Sequence, residues 1–242
     1  MRTSEKLLIL DTETCNTVEE PIPYDIGWAI CDRRGNILKQ RSYIVEEVFY
    51  GMADVMTSAY YAEKIPMYEN DIKAGTRKVA KMWDIRKKMK EDIQTYNVKK
   101  IGAYNMAFDK RALNNLIRYV SKSWLRWWFP FGMEYICIWH EACQVLLNTK
   151  SYIEFCLKNG LVSDKDNILT SAETAYRFIT KNLEFAESHT GLEDVKIEIE
   201  IMVQCYRQHK KMNKGINPSC WRIVQKKRKE LENRKGARKK SA

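Results

Sequence analysis

The first 140 residues alternate short apolar runs with polar breaks, and the remainder shows mostly helical spacing. Leu7-Leu-Ile-Leu10 is an unbroken apolar run that stops at Asp11, the pattern of a strand buried on both faces with an acid at its end. Ile26 to Cys31 and Ile37 to Val45 have strand patterns, and the turn residues from Asp32 to Asn36 join them as a hairpin. Thr76 to Tyr96 carries Val79, Met82, Trp83, Arg86, Met89 and Ile93 at helical spacing, which predicts one long helix with a basic outer face. Ile101 to Ala103 is a further buried strand, Phe108 to Val120 a helix, and Tyr135 to Trp139 a strand. Helices follow at about His140–Leu147, Ser151–Asn159, Ser171–Lys181 and Gly191–His209, with Leu161 to Asn167 as a polar loop. Thr170-Ser-Ala-Glu173 and Thr190-Gly-Leu-Glu193 have the form of capping boxes at two of these helix starts. This order predicts an α/β domain whose mixed sheet joins a hairpin to parallel strands.

Composition narrows the picture. The chain has 242 residues, 45 % of them apolar, enough to bury a large core. No apolar stretch reaches the roughly 18 residues of a membrane span, and Leu7–Leu10 is too short for a signal-peptide core. The seven cysteines are scattered, with no closely spaced pair, so they read as buried small hydrophobes of a reduced, cytoplasmic protein. The net charge of +11 points to a polyanionic partner. Residues 226–242 hold nine basic and two acidic side chains, a net +7, which leaves only +4 for residues 1–225. The expected organisation is one domain over 1–225, with an aromatic-rich insertion near 121–134, and a basic, disordered tail over 226–242.

Three acidic motifs do not fit a protein built only to grip a polyanion. Asp11-Thr-Glu13 follows the first strand, and strand geometry turns both acids to one side, where they repel unless a cation lies between them. Asp109 opens a helix just after another strand, within Asn105-Met-Ala-Phe-Asp109. His189 precedes a helix that holds Asp194 in its first turn. Singly, each has an ordinary reading: a solvated strand end, a helix-dipole partner, a chance spacing.

Together the three motifs resemble those of the DEDDh 3′→5′ exonucleases, a family with a ribonuclease H-like fold that includes proofreading exonuclease subunits, RNase T and oligoribonuclease. The likeness runs over about residues 5–208, is weakest between Trp124 and Leu169, and suggests a small phage-like exonuclease. It implies a ribonuclease H-like mixed sheet of about five strands flanked by helices. It implies that Asp11, Glu13, Asp109 and Asp194 hold two divalent cations, Mg²⁺ or Mn²⁺, and that His189 is the general base for the attacking water. Asn105, Phe108, Thr12 and Thr14 would line the pocket for the terminal nucleotide, although Phe108 also sits at core spacing with Leu113 and Leu116. The product would be a nucleoside 5′-monophosphate released from a 3′ end.

DNA is favoured over RNA as the partner, with single-stranded ends preferred and a role in replication or repair. A polymerase or other replisome protein is a further candidate partner, and a membrane is not. Alternatives are an RNA 3′-trimming enzyme and a non-cleaving nucleic-acid-binding module; all five family positions carry the required side chain, which disfavours the latter. Trp124, Trp127, Trp128, Phe129 and Phe131 have two readings, a stacking platform for bases or a core and contact surface.

Overall fold

The computed structural model describes residues 5–57, 59 and 62–240. Six strands form one sheet: β1 (Lys6–Cys15), β2 (Ile22–Asp32), β3 (Ile37–Val45), β4 (Val79–Ala80), β5 (Lys100–Ala103) and β6 (Glu134–Cys137). Their spatial order is β4-β3-β2-β1-β5-β6. β1, β2 and β3 are antiparallel neighbours, β5 and β6 run parallel to β1, and β4 runs parallel to β3. This is the expected mixed α/β sheet, with the two-residue β4 as its sixth strand.

Every residue of β2 is buried, as one of the two central strands must be when both sheet faces are covered. One face packs Leu8, Leu10, Ile26 and Trp28 against α3 (Ile65–Lys73), α4 (Met82–Thr95) and α5 (Met106–Ser121). The other packs Leu7, Ile9, Ala29 and Cys31 against α6 (Ile138–Val145), α7 (Lys150–Lys158), α8 (Ala172–Thr180), α9 (Gly191–Arg207) and α10 (Trp221–Lys240). Short helices α1 (Glu46–Phe49) and α2 (Ala53–Met56) complete the first layer. All seven cysteines are buried and unbridged. Among the described residues, no helix is long and apolar enough to cross a membrane.

Three stretches differ from the sequence reading. The helix predicted from Thr76 starts only at Met82: Val79 and Ala80 pair with Ile44 and Val45, and Glu47 of α1 accepts the Met82 N–H at 2.9 Å. A negative side chain at that first turn favours the later start. The first-strand run continues past Asp11 to Cys15, with a register shift between Glu13 and Thr14 where Pro23, which has no N–H, stands opposite. Residues 226–240, expected to belong to a tail, lie inside α10, so the division at 225/226 falls within a helix, and 241–242 lie outside the described residues. Val224 is buried, Gln225 exchanges two hydrogen bonds with the backbone of Ile168, and Arg228 pairs with Asp166 and Glu232.

The aromatic segment divides. Trp128 and Phe129 are buried, and the carbonyls of Trp127 and Trp128 accept from Arg86, while the Trp128 N–H donates to Asn114. Trp124, Trp127 and Phe131 are exposed. Two of the five rings are therefore core, and three remain on the surface.

Asp92 of α4 fastens the first layer to the sheet. It is buried, accepts the Trp28 indole N–H at 3.0 Å, and takes two hydrogen bonds from Arg41 at 2.7 and 3.0 Å. Removing this carboxylate strands a half-buried guanidinium and a buried indole N–H. Asp92→Ala is expected to destabilise the fold by about 3 kcal/mol in urea or guanidinium titrations; a change below about 0.5 kcal/mol would contradict the role.

Candidate active site

The C-terminal half of β1 forms the floor of the site. Asp11 and Glu13 alternate with Thr12 on the extended strand and face the α9 layer. Asp11 pairs in register with Gly27, and Glu13 with Asp25. Neither Gly27 nor Gly191 could carry a side chain here. A Cβ on Gly27 would lie 2.2 Å from the Gly191 carbonyl carbon, and one on Gly191 would lie 2.7 Å from the Gly27 nitrogen. The first turn of α9 thus rests directly on β2, beside the Asp11 backbone.

Asp25 locks that contact. Its fully buried carboxylate accepts the Gly191 N–H at 3.1 Å, the Tyr68 hydroxyl at 3.0 Å and the Ser42 hydroxyl at 3.2 Å, with the Arg77 guanidinium at 3.4 Å. One side chain therefore ties α9, α3 and β3 to β2.

Asp109 arrives from the other layer. β5 ends beside β1, and Asn105 takes the position just before α5 without capping it by its side chain. Asp109, in the first turn, accepts the Thr12 hydroxyl at 2.9 Å. Thr12 is buried and commits its hydroxyl to Asp109. Asn105, Phe108 and Thr14 are half-buried, and the Phe108 ring belongs to neither core cluster but lies 5.7 Å from the Arg111 guanidinium.

α9 supplies the remaining groups. Thr190 stands at the N-cap as the motif predicts, but its hydroxyl donates to the Glu193 carboxylate at 2.6 Å. Its N–H instead donates to Asp194 at 3.2 Å, and Ser188 donates to the other Asp194 oxygen at 3.3 Å. At α8 the cap is Ser171, one residue beyond the Thr170 expected, and it accepts the Thr174 N–H. His189 is half-buried in the left-handed region at φ +49°. Ligand-type atoms of Glu13, His189 and Asp194 lie within 4.8 Å of one another, and a second group joins Glu173 and Glu187 to His189.

All five motif residues thus converge on the ends of β1, α5 and α9. The structure adds Glu198, one turn beyond Asp194 on α9 and 97 % buried, an acid outside the three motifs. Its signal was the spacing of four from Asp194. Asp25, inside an apolar run, gave none beyond its being a charge in a buried strand.

The electrostatics follow from burial and like charge. Burial, then Glu198, Asp109, Glu13 and Asp194, hold the Asp11 carboxyl well above the usual carboxylate range. Burial, then Asp194, pushes Glu13 up to about 8. Burial raises Asp109 to about 7 against the Thr12 hydrogen bond, and Asp194 to about 6 against those from Ser188 and Thr190. Burial, then Asp109, raises Glu198 well above its ordinary value. Burial and Lys64 lower His189, which favours the neutral imidazole. The Asp11 Oδ2 is buried with no hydrogen-bond partner among the described residues. Hard carboxylate oxygens, mutually repelling and partly unsatisfied, suit hard divalent cations.

In the metal-free protein these acids bind more protons folded than unfolded. Stability conferred by the protonated cluster is therefore complete below about pH 4 and lost as pH rises towards about 8, where the folded groups ionise. Melting temperatures in EDTA are expected to fall across that window, and Glu13→Gln to flatten the fall. An identical slope in the variant would contradict the cluster's electrostatics.

No protein-family model matches the chain, and no curated protein sequence matches it. Solved structures do match. E. coli Exonuclease I in complex with a dT13 oligonucleotide superposes with a TM-score of 0.53 at 14 % identity, over 86 % of this chain and 41 % of that one. Exonuclease I from Methylocaldum szegediense gives 0.51 at 15 %, over 85 % and 41 %. A product-bound Exonuclease I gives 0.51 at 12 %, over 90 % and 45 %. The chain thus spans less than half the length of these Exonuclease I chains. What it shares with them is the fold, a mixed sheet of antiparallel and parallel strands flanked by helices.

Proposed function

We propose that the chain is a metal-dependent 3′→5′ exonuclease that releases nucleoside 5′-monophosphates from DNA, favouring single-stranded ends. The observation that carries this reading is the approach of Glu13, His189 and Asp194 to within 4.8 Å of one another, beside Asp11 on the same strand and the Asp109 held by Thr12, with a buried Asp11 oxygen that has no hydrogen-bond partner among the described residues. Fold likeness to E. coli Exonuclease I, described in complexes with oligonucleotides and in a zinc-bound form with single-stranded DNA, supports the choice of substrate and of metal dependence.

In this reading Asp11, Glu13, Asp109 and Asp194 hold two divalent cations, Mg²⁺ or Mn²⁺. Bound there, the cations would supply Lewis-acid charge against the phosphate oxygens and acidify the water they carry. His189 accepts the proton of the attacking water at an imidazole nitrogen kept neutral by burial and Lys64. Thr12 orients Asp109, and Ser188 and the Thr190 amide orient Asp194. The half-buried Phe108 ring, one residue before Asp109, offers a face for the terminal base, and Asn105 and Thr14, also half-buried, would complete its lining.

The test uses 5′-labelled single-stranded DNA, duplex DNA and RNA with Mg²⁺ or Mn²⁺. A ladder shortening from the 3′ end is expected, strongest on single-stranded DNA. Asp11→Asn and Asp109→Asn should abolish it, and His189→Ala should slow it by about 10² to 10⁴. No cleavage of any substrate would overturn the reading, as would full activity in either aspartate variant. A ladder on RNA alone would replace DNA as the substrate.

A further inference from the structure

We propose that Glu198 is a fifth carboxylate of the cation centre, beyond the four that the sequence motifs supply; the inference rests on the reading of that centre given above. Glu198 lies on α9 four residues after Asp194, so the two side chains share the helix face that packs on β1 and β2. The Tyr104 backbone amide, immediately after β5, opposes the upward push that burial and like charge exert on its carboxyl. Its Oε2 is buried and has no hydrogen-bond partner among the described residues. Its charged neighbours are Asp109, Asp194 and Glu187, and Glu198 is in turn the charge that acts most strongly on Asp11.

A buried acid facing other acids is a poor structural choice. An apolar residue in its place would pack against the sheet without repulsion, and the surrounding helix supplies many: Val195, Ile197, Ile199, Ile201 and Met202 are all buried. Two orphaned oxygens, Asp11 Oδ2 and Glu198 Oε2, belong to strongly interacting carboxyls on opposite elements, β1 and α9. A cation between them, or a water bound to it, gives both oxygens the partner they lack.

The test is Mn²⁺ binding to the full chain without nucleic acid, read by calorimetry and by the electron paramagnetic resonance signal of free Mn²⁺. Wild type, Glu198→Gln, Glu198→Asp and Asp11→Asn are compared, with melting temperatures recorded in EDTA. Glu198→Gln should bind Mn²⁺ at least about tenfold more weakly, yet melt no lower than wild type in EDTA, because it removes a like charge. Glu198→Asp, which keeps the charge, should retain part of the affinity. Wild-type Mn²⁺ affinity in Glu198→Gln would overturn the proposal, and so would a lower melting temperature of that variant in EDTA, which marks a purely structural residue. If Asp11→Asn binds Mn²⁺ as wild type does, the reading of the centre itself fails, and Glu198 with it.

Discussion

Carboxylates that are buried together repel across a medium that no longer screens them. With oxygens of Glu13 and Asp194 within 4.8 Å, the repulsion between the ionised pair is at least about 3.5 kcal/mol at an effective dielectric of 20. Asp11, Asp109 and Glu198 add to it from the same region. Lys64, which donates to the Ser188 carbonyl, is the cation that bears on Glu13, Asp194 and His189 together. Without other counter-charge, the acids hold protons at pH values where exposed carboxylates are ionised. Protons and divalent cations are then rivals for the same oxygens.

The scaffold is arranged to tolerate this strain. Gly27 and Gly191 let α9 touch β2 backbone to backbone, which brings Asp194 and Glu198 over β1. Asp25, buried in β2, holds the Gly191 N–H and is itself satisfied by Tyr68, Ser42 and Arg77. On the opposite face, the Asp92–Arg41–Trp28 network holds α4, and with it the core against which α5 presents Asp109. Two buried carboxylates with full sets of hydrogen bonds thus frame a cluster in which Asp11 Oδ2 and Glu198 Oε2 are buried with no hydrogen-bond partner among the described residues. The contrast separates polar groups that hold the fold from those left open to a ligand.

Much of this was legible in the sequence. An apolar run ending in Asp-x-Glu, a helix opening on Asp109 and a His189–Asp194 pair at a later helix were each visible, and their convergence followed from the resemblance. Other parts had no local signal. β4 exists because the edge of β3 offers a partner to Val79 and Ala80, a tertiary fact that overrides helical spacing. Glu198 reads as one acid in the alternating run from Ile197 to Ile201, and only helix phase places it on the buried side. The aromatic segment could not be divided by composition. Arg86 and Asn114, distant in sequence, bind the backbone at Trp127 and Trp128, and Trp128 is buried while Trp124 stays exposed.

The most direct test of the protonated, cation-ready centre is the number of protons released when Mn²⁺ binds. Calorimetric titration near pH 7, repeated in buffers of different ionisation enthalpy, gives that number. Mn²⁺ is expected to bind with release of about one proton or more per chain, because Glu13, pushed up to about 8, and Asp109, pushed up to about 7, are largely or partly protonated there. Binding with no proton release, or no binding, would contradict it.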